Sequence, residues 1–335
     1  MKVFLLGATG LLGHNVLQRL TDSGHEVVAL VRHRNGLRIM SPGTQVVEGS
    51  PTDGTMLTNA AEGCDAIVNC TGVTDMSLLH AEDYAEVNTL LCHTLLEVMK
   101  HHGIKHLVHT STVNTIGYGS DGHPADEAEE IAAPFDKSLY AASKLRGEAI
   151  IREEALHHPD WHAVVVNPGF MLGPMDVKPS SGRMLLAGYR RRLMLAPSGG
   201  KAFVDVRDVA AAVVNALTLG RNGARYIAVS SGGHLTVKEL YQLQARAMGY
   251  RQRVLTLPDW VLLTAGVAGN ALRVIGVHTE LSLNNVRQLM VREHYSNRRA
   301  VEELQMPESD IAQAIIDFHR WRKENTTDKQ KKRKI

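Results

Sequence analysis

The chain has 335 residues, of which 44% are hydrophobic and 21% charged, a composition that fits a folded globular protein of one large or two coupled domains. A formal net charge of +2 excludes a polyacidic or strongly basic chain, so nucleic-acid binding is not expected as its main task. Cys64, Cys70 and Cys92 form no CxxC pair, which argues against a zinc ribbon or a disulfide framework and for a reducing, cytoplasmic home.

The opening residues MKVFLLGATG carry one lysine and a short apolar run broken by Gly7 and Gly10, with no A-x-A site after it. They read as a first strand, KVFLLG. Further strands are expected at EVVALVR (26–32), VVEG (46–49), AIVNC (66–70), HLVHTS (106–111) and HAVVVNP (162–168). Amphipathic helices are expected between them at Leu11–Ser23, Thr55–Ala61, Ala81–His102 and Leu139–His157. Apolar runs without alternation indicate strands buried on both faces, and intervening helices indicate parallel crossovers. The expected fold is therefore α/β, a doubly wound parallel sheet.

The second half is less regular. A loop rich in Gly, Pro and Ser (169–182) precedes LLAGYRRRL, and KAFVDVRDVAAAVVNAL puts a short strand before an Ala/Val-rich helix. YIAVS (226–230) reads as another strand, and residues 236–323 as mostly helical with breaks at Gly249 and Pro258. The expected organisation is a discontinuous sheet domain (1–170 and 203–235), a smaller, mostly helical cap (171–202 and 236–325) and a basic disordered tail (326–335). WVLLTAGVAGNALRVIGV (260–277) approaches spanning length, but Asn270 and Arg273 favour a buried or interfacial helix over a membrane span.

The first strand runs into GATGLLG, which sets Gly7, Gly10 and Gly13 at a strand–turn–helix junction. Gly7 permits the tight turn, Gly10 lets a pyrophosphate approach the backbone, and Gly13 lets the helix pack on the strand. With Thr9, Leu11 and Leu12 they form the expected phosphate site of a Rossmann sheet that binds a dinucleotide. At the end of the second strand, VRHR offers Arg32 and Arg34 where an acid would grip a ribose 2′-hydroxyl. Guanidinium groups suit a 2′-phosphate, so NADP is expected, with NAD as the alternative and solvated strand-end arginines as the plain reading.

These residues, together with YAASK, resemble the extended short-chain dehydrogenase/reductase family (the NAD-dependent epimerase/dehydratase superfamily). YAASK matches the Tyr-x-x-x-Lys signature at Tyr140 and Lys144, HTSTVNTIG places the family hydroxyl at Thr112, and EVNTLLCHTLLE places the helix asparagine at Asn88. NPGFMLGP resembles the segment closing over the nicotinamide, which implies cofactor contacts at Asn167, Pro168 and Gly169. NPGFMLGPMDVKPSSG is most similar to the dihydroflavonol-reductase and 3β-hydroxysteroid-dehydrogenase branch. The resemblance implies cofactor contacts at Ser50 and Pro51, where the usual Asp is replaced by Ser50, and at Cys70, Thr71 and Gly72. It also implies that FVDVRDVAAA is a returning strand and helix, and it leaves monomer and homodimer both open.

The chemistry implied is carbonyl reduction or its reverse, with Tyr140 as the proton-transfer group if its pKa falls from about 10 towards neutrality. Lys144, one turn later, would lie alongside and stabilise the phenolate. Thr112 would position the substrate oxygen, and Asn88 would support a relaying water. Thr74, Tyr118, Thr112 and Met171 are the expected substrate contacts, with cap–sheet packing the alternative for most of them. Arg190, Arg191 and Arg192 read as a solvated helix face, and the histidines, which form no HExxH, as scattered residues with no metal site expected. The leading expectation is an NADP(H)-dependent oxidoreductase interconverting a secondary alcohol and a ketone or aldehyde on a medium-sized, fairly apolar substrate. The alternatives are an NAD-dependent nucleotide-sugar epimerase/dehydratase and a non-catalytic dinucleotide sensor.

Overall fold

The computed structural model describes residues 1–38 and 42–332, with side chains described through Asn325. The first half alternates as expected: β1 (Lys2–Leu6), α1 (Leu11–Asp22), β2 (Glu26–Val31), β3 (Thr44–Glu48), α2 (Gly54–Ala60) and β4 (Ala66–Asn69). It continues through α3 (Glu82–Ala85), one π-helical turn (Glu86–Leu90), α4 (Leu91–His102), β5 (His106–Thr110), α5 (Leu139–His157) and β6 (His162–Pro168). With β10 (Arg225–Ala228), these strands form a seven-stranded sheet in the order β10-β6-β5-β4-β1-β2-β3, every pair parallel.

Strand apolarity on both faces dictates this layering. Val3, Leu5, Val27, Ala29 and Val68 bury one face against Leu12, Val16 and Leu20 of α1. Phe4, Leu6, Val28 and Ile67 bury the other against Leu95, Met99 and Ile151 of α4 and α5. The chain winds outward from β1 to β3, then crosses back to place β4 on the other side of β1. Strand order reverses there, and ligands of open α/β sheets sit outside the carboxyl ends of the strands at such a switch point.

The rest of the chain comprises β7 (Phe170–Leu172), α6 (Gly182–Gly188), β8 (Leu193–Ala196), β9 (Gly200–Asp205), α7 (Val206–Asn215), β11 (His234–Thr236), α8 (Val237–Ala247) and β12 (Arg253–Thr256). Helices α9 (Asp259–Val274), α10 (Leu283–Met290), α11 (Arg298–Leu304) and α12 (Ile311–Lys332) follow. The returning strand does not rejoin the large sheet. β9 pairs with β7 and β11 in a separate three-stranded sheet, and it is β10 that pairs with the outer edge of β6. Its helix α7 does return, packing Val209, Ala212 and Val213 into the core beside α1.

Two other expectations are revised. Helix α12 runs along the backbone through Lys332, past position 326 where a disordered tail was expected; no Gly or Pro interrupts a stretch rich in good helix formers. Residues 333–335 of that tail lie outside the described residues. Of the two readings of α9, buried or interfacial, the buried one does not hold: only Gly266 and Gly269 are buried, pressed onto residues 281–283, while Trp260, Val267 and Val274 are exposed. No helix among the described residues is long and apolar enough to cross a membrane. The Arg273 guanidinium donates to the Thr279 and Met76 carbonyls, and Asn285 of α10 donates to the same Met76 carbonyl. The cap thereby holds the loop that follows β4.

Candidate active site

The glycine turn is built as its spacing requires. Gly7 has φ +81°, and a Cβ there would fall 2.6 Å from the carbonyl carbon and oxygen of Cys70. A Cβ on Gly13 would lie 2.0 Å from the Gly7 oxygen. Gly10 differs: its φ of −82° suits any residue, and a Cβ would meet only the Gly7 oxygen, at 3.4 Å. The missing side chain at Gly10 therefore leaves room outside the protein rather than inside it. Helix α1 starts there with no side-chain cap and no acid in its first turn, which leaves its first amides for an anion. Leu11 and Leu12 contribute only backbone to that edge, since their side chains pack into the core.

The loop after β2 folds over this turn. Thr9 Cγ2 lies 3.1 Å from the Cβ position of Gly36. His14, fully buried on α1, pairs its Nδ1 with the Gly10 carbonyl at 3.0 Å and accepts the Arg38 amide at Nε2, 3.2 Å away. Burial lowers its pKa, so a neutral imidazole bridges turn and loop. Arg32 is exposed, whereas the Arg34 guanidinium donates to the Val46 carbonyl at 3.0 Å and its amide to the Glu48 carboxylate. Gly49 donates to the Val31 carbonyl, which sets exposed Ser50 and half-buried Pro51 beside the end of β2. Ser50 pairs its hydroxyl with Thr52.

At the ends of β4 and β5 lies the second cluster. Lys144 donates to the Thr110 carbonyl at 2.7 Å and reaches the Thr71 carbonyl at 3.5 Å. The Cβ position of Gly72 stands 3.8 Å from Lys144 Nζ, 3.6 Å from Asn88 Oδ1 and 4.0 Å from Thr74 Cγ2. Lys144, Asn88 and Thr74 thus converge around Gly72. Tyr140, in the first turn of α5, stands beside the Thr112 hydroxyl, while the buried Ser111 hydroxyl next to it has no partner. Cys70 completes the strand end with a thiol that burial pushes up to about 12, outside any nucleophilic range.

Three roles differ from the sequence expectation. Burial raises the Tyr140 pKa, and the Thr112 hydroxyl lowers it only in part. Lys144 does not offset that rise in the resting phenol; its ammonium donates to the two strand-end carbonyls, and burial lowers its own pKa. The Asn88 amide is engaged within the protein. Its Oδ1 accepts from the Val73 amide at 2.8 Å, and its Nδ2 donates to the Val73 carbonyl and the Ser143 hydroxyl at 3.0 and 2.9 Å. It clamps the 71–74 loop to α5.

Asn167, the third, is fully buried, and its Nδ2 donates to the Thr112 carbonyl, the Thr115 hydroxyl and the Glu148 carboxylate. Its side chain holds the β5 end in place instead of facing a ligand. Pro168 closes β6, and a Cβ at Gly169 would lie 2.3 Å from the Ala202 carbonyl oxygen, a packing reason for glycine. Of the substrate candidates, Thr112 and Thr74 sit in the cluster. Tyr118 packs edge-on against Phe135 and bonds the Ala133 carbonyl, while Met171 packs on the α1/α7 core.

Sequence reasoning missed Glu148, Tyr84, Arg273 and His14. Tyr84, nearly fully buried, lies four residues before Asn88 and tilts its ring against Tyr140 at 6.5 Å between centroids. Its spacing from Asn88 was the available signal. Glu148 stands four residues after Lys144, the same helical interval again.

Comparison with known proteins shows the family and the fold. The model of the NAD dependent epimerase/dehydratase family matches residues 3–230. A Synechocystis sp. protein named as a dihydroflavonol 4-reductase is 30% identical over 95% of this chain and 93% of its own. Sterol demethylase protein B of Methylococcus capsulatus is 24% identical over 97% and 99%. The crystal structure of gox2253 superposes with a TM-score of 0.80 at 23% identity, covering 96% of this chain and 98% of its own. That likeness concerns the fold.

Proposed function

The chain belongs to the NAD dependent epimerase/dehydratase family, whose members bind NAD(P), and on that premise we propose that it is an NADP(H)-dependent oxidoreductase. It interconverts a secondary alcohol and a ketone or aldehyde on a medium-sized, fairly apolar substrate. The observation that carries this reading is the convergence of Tyr140, Thr112 and Lys144 at the strand ends next to the glycine turn. When bound, the nicotinamide supplies or accepts the hydride.

The chain's own residues do the rest. Gly7, Gly10 and Gly13 with the α1 amides would hold the pyrophosphate, and exposed Arg32 would meet the 2′-phosphate. Arg34 backs the same loop through Val46. Tyr140, kept protonated at neutral pH by burial, is in the state required to give its phenolic proton to a carbonyl oxygen. The Thr112 hydroxyl holds that oxygen in place. Lys144, anchored at Thr110 and Thr71, adds positive charge near the phenol as the proton leaves. The sheet domain, 1–170 with α7 and β10, carries the cofactor side, and the remaining elements carry the substrate side.

The experiment is a substrate screen by NADPH oxidation with the parent and Tyr140→Phe. Turnover disappears in the variant while nucleotide binding persists; equal turnover would sink the mechanism. Calorimetry gives tighter NADPH than NADH binding, with the gap shrinking in Arg32→Ala. Stronger NADH binding by the parent would overturn the cofactor assignment.

A further inference from the structure

The two-stranded sheet of β8 and β12 presents a face that the oxidoreductase chemistry does not use. The strands are parallel, with Leu193 opposite Arg253 and Leu195 opposite Leu255. Registered partners, and residues two apart on a strand, share one face. All four side chains are exposed, Leu193 by 55% and Leu195 by 51%. The opposite face already packs Ala196 and Val254 against Val237 and Tyr241 of α8. The sheet therefore has one apolar side in the core and a second one in solvent.

Charge gathers at one end of it. Arg190, Arg191 and Arg192 lead into β8 and Arg251 leads into β12, all exposed, so with Arg253 five guanidinium groups border the leucines. The ion pairs of the described residues engage other arginines, such as Arg207, Arg221 and Arg225. Arg190 lies over the Tyr189 ring, 5.3 Å from its centroid. At the other end, Ser198 donates to Asp259 at 2.6 Å and ties the start of α9 to β8. The next residue, Trp260, is 67% exposed. In a chain of net charge +2 this is a local concentration of positive charge.

We propose that the outer face of β8 and β12 docks on an anionic phospholipid bilayer. Exposed leucines and an indole suit the boundary between headgroups and acyl chains, and arginines bind phosphates bidentately while their stems lie along apolar surface. An acidic protein surface is the competing occupant, and the vesicle test separates it from a bilayer. Residues 193–195 and 253–255 enter the headgroup layer, and the chain stays peripheral.

The test is flotation of the full chain with phosphatidylcholine vesicles, with and without phosphatidylglycerol. The protein floats with the mixed vesicles, not with phosphatidylcholine alone, and salt releases it. Arg191→Gln and Arg253→Gln each weaken binding about fivefold, the factor for one cation at such a surface. Leu195→Gln with Leu255→Gln weakens it further and leaves the circular dichroism spectrum and urea midpoint unchanged. The basic C-terminal stretch is present in every variant, so it produces no difference among them. Absence from the mixed vesicles, or equal flotation of all variants, overturns the proposal, as does a face that engages only a second copy or an acidic protein. Vesicle binding is read without turnover, so this result stands or falls independently of the proposed reaction.

Discussion

Replacing Glu148 by Gln tests whether the buried network behind Thr112 is what holds the site. The carboxylate is fully buried; Oε2 accepts from Thr115 Oγ1 at 3.0 Å and Asn167 Nδ2 at 2.9 Å, and Oε1 from Arg225 Nη1 at 3.1 Å. Gln keeps the shape but turns one acceptor into a donor. If its nitrogen faces Arg225, two donors oppose each other. If it faces Asn167, that amide must turn its oxygen inward, an oxygen with no partner now, and withdraw Nδ2 from the Thr112 carbonyl. The second arrangement costs less. Losing the charge on the Arg225 bond costs about 1–2 kcal/mol, and losing the Asn167–Thr112 bond about 1 kcal/mol. The sum, about 2–3 kcal/mol, stays below the roughly 3–5 kcal/mol of a severed buried pair. Arg225 keeps the Glu127 and Glu129 carbonyls in either case. With a urea m-value of about 3 kcal/mol/M, the midpoint falls by about 0.7–1 M, and Glu148→Ala falls further. Turnover drops with the loosened Thr112, while KM changes little. An unchanged midpoint in Glu148→Gln, or an alanine variant no worse than the glutamine one, refutes the reasoning.

Two further perturbations separate structure from ligand. Gly13→Ala places a methyl 2.0 Å from the Gly7 oxygen and destabilises the fold, whereas Gly10→Ala meets only a 3.4 Å contact and melts like the parent. Yet Gly10→Ala binds dinucleotide at least about tenfold more weakly by titration, because its methyl occupies the pyrophosphate's approach; parental affinity would refute that placement. His109, nearly fully buried, accepts the Asn69 amide at Nδ1, and its Nε2 has no partner. Burial first, then the nearby Lys144 ammonium, hold its pKa well below 6.5. Below 6.5 the unfolded chain takes up a proton that the native imidazole refuses, so this contribution to stability is present above that pH and is lost as pH falls. The loss grows as pH falls from 7 towards 5. His109→Leu therefore flattens the fall in urea midpoint over that range; an identical slope in parent and variant contradicts it.

What could be read from the chain was what local spacing encodes. The seven main strands, α1 and α5, the glycine turn and the Tyr140/Lys144 interval each depend on residues within one or two turns of each other. The rest depends on meetings that spacing does not record. Arg225 reaches Glu148 across 77 positions, and nothing in either neighbourhood says that β10 will lie beside β6. Asn167 looked like a ligand contact because its sequence neighbours fit one, but the alternation of β6 turns its side chain towards Thr115. The segment KAFVDV has the composition of a strand whichever sheet accepts it. Lys144 shows the limit most plainly: the helical interval puts it one turn from Tyr140, but the choice of acceptor belongs to two carbonyls on other strands.

The Met76 carbonyl receives donors from two different helices, Arg273 of α9 and Asn285 of α10. One oxygen thus latches the cap to the loop that carries Thr74 and leads from Gly72. Because the two bonds share their acceptor, displacing that oxygen disturbs α9 and α10 together, so the position of the 71–76 loop is coupled to both helices through a single atom.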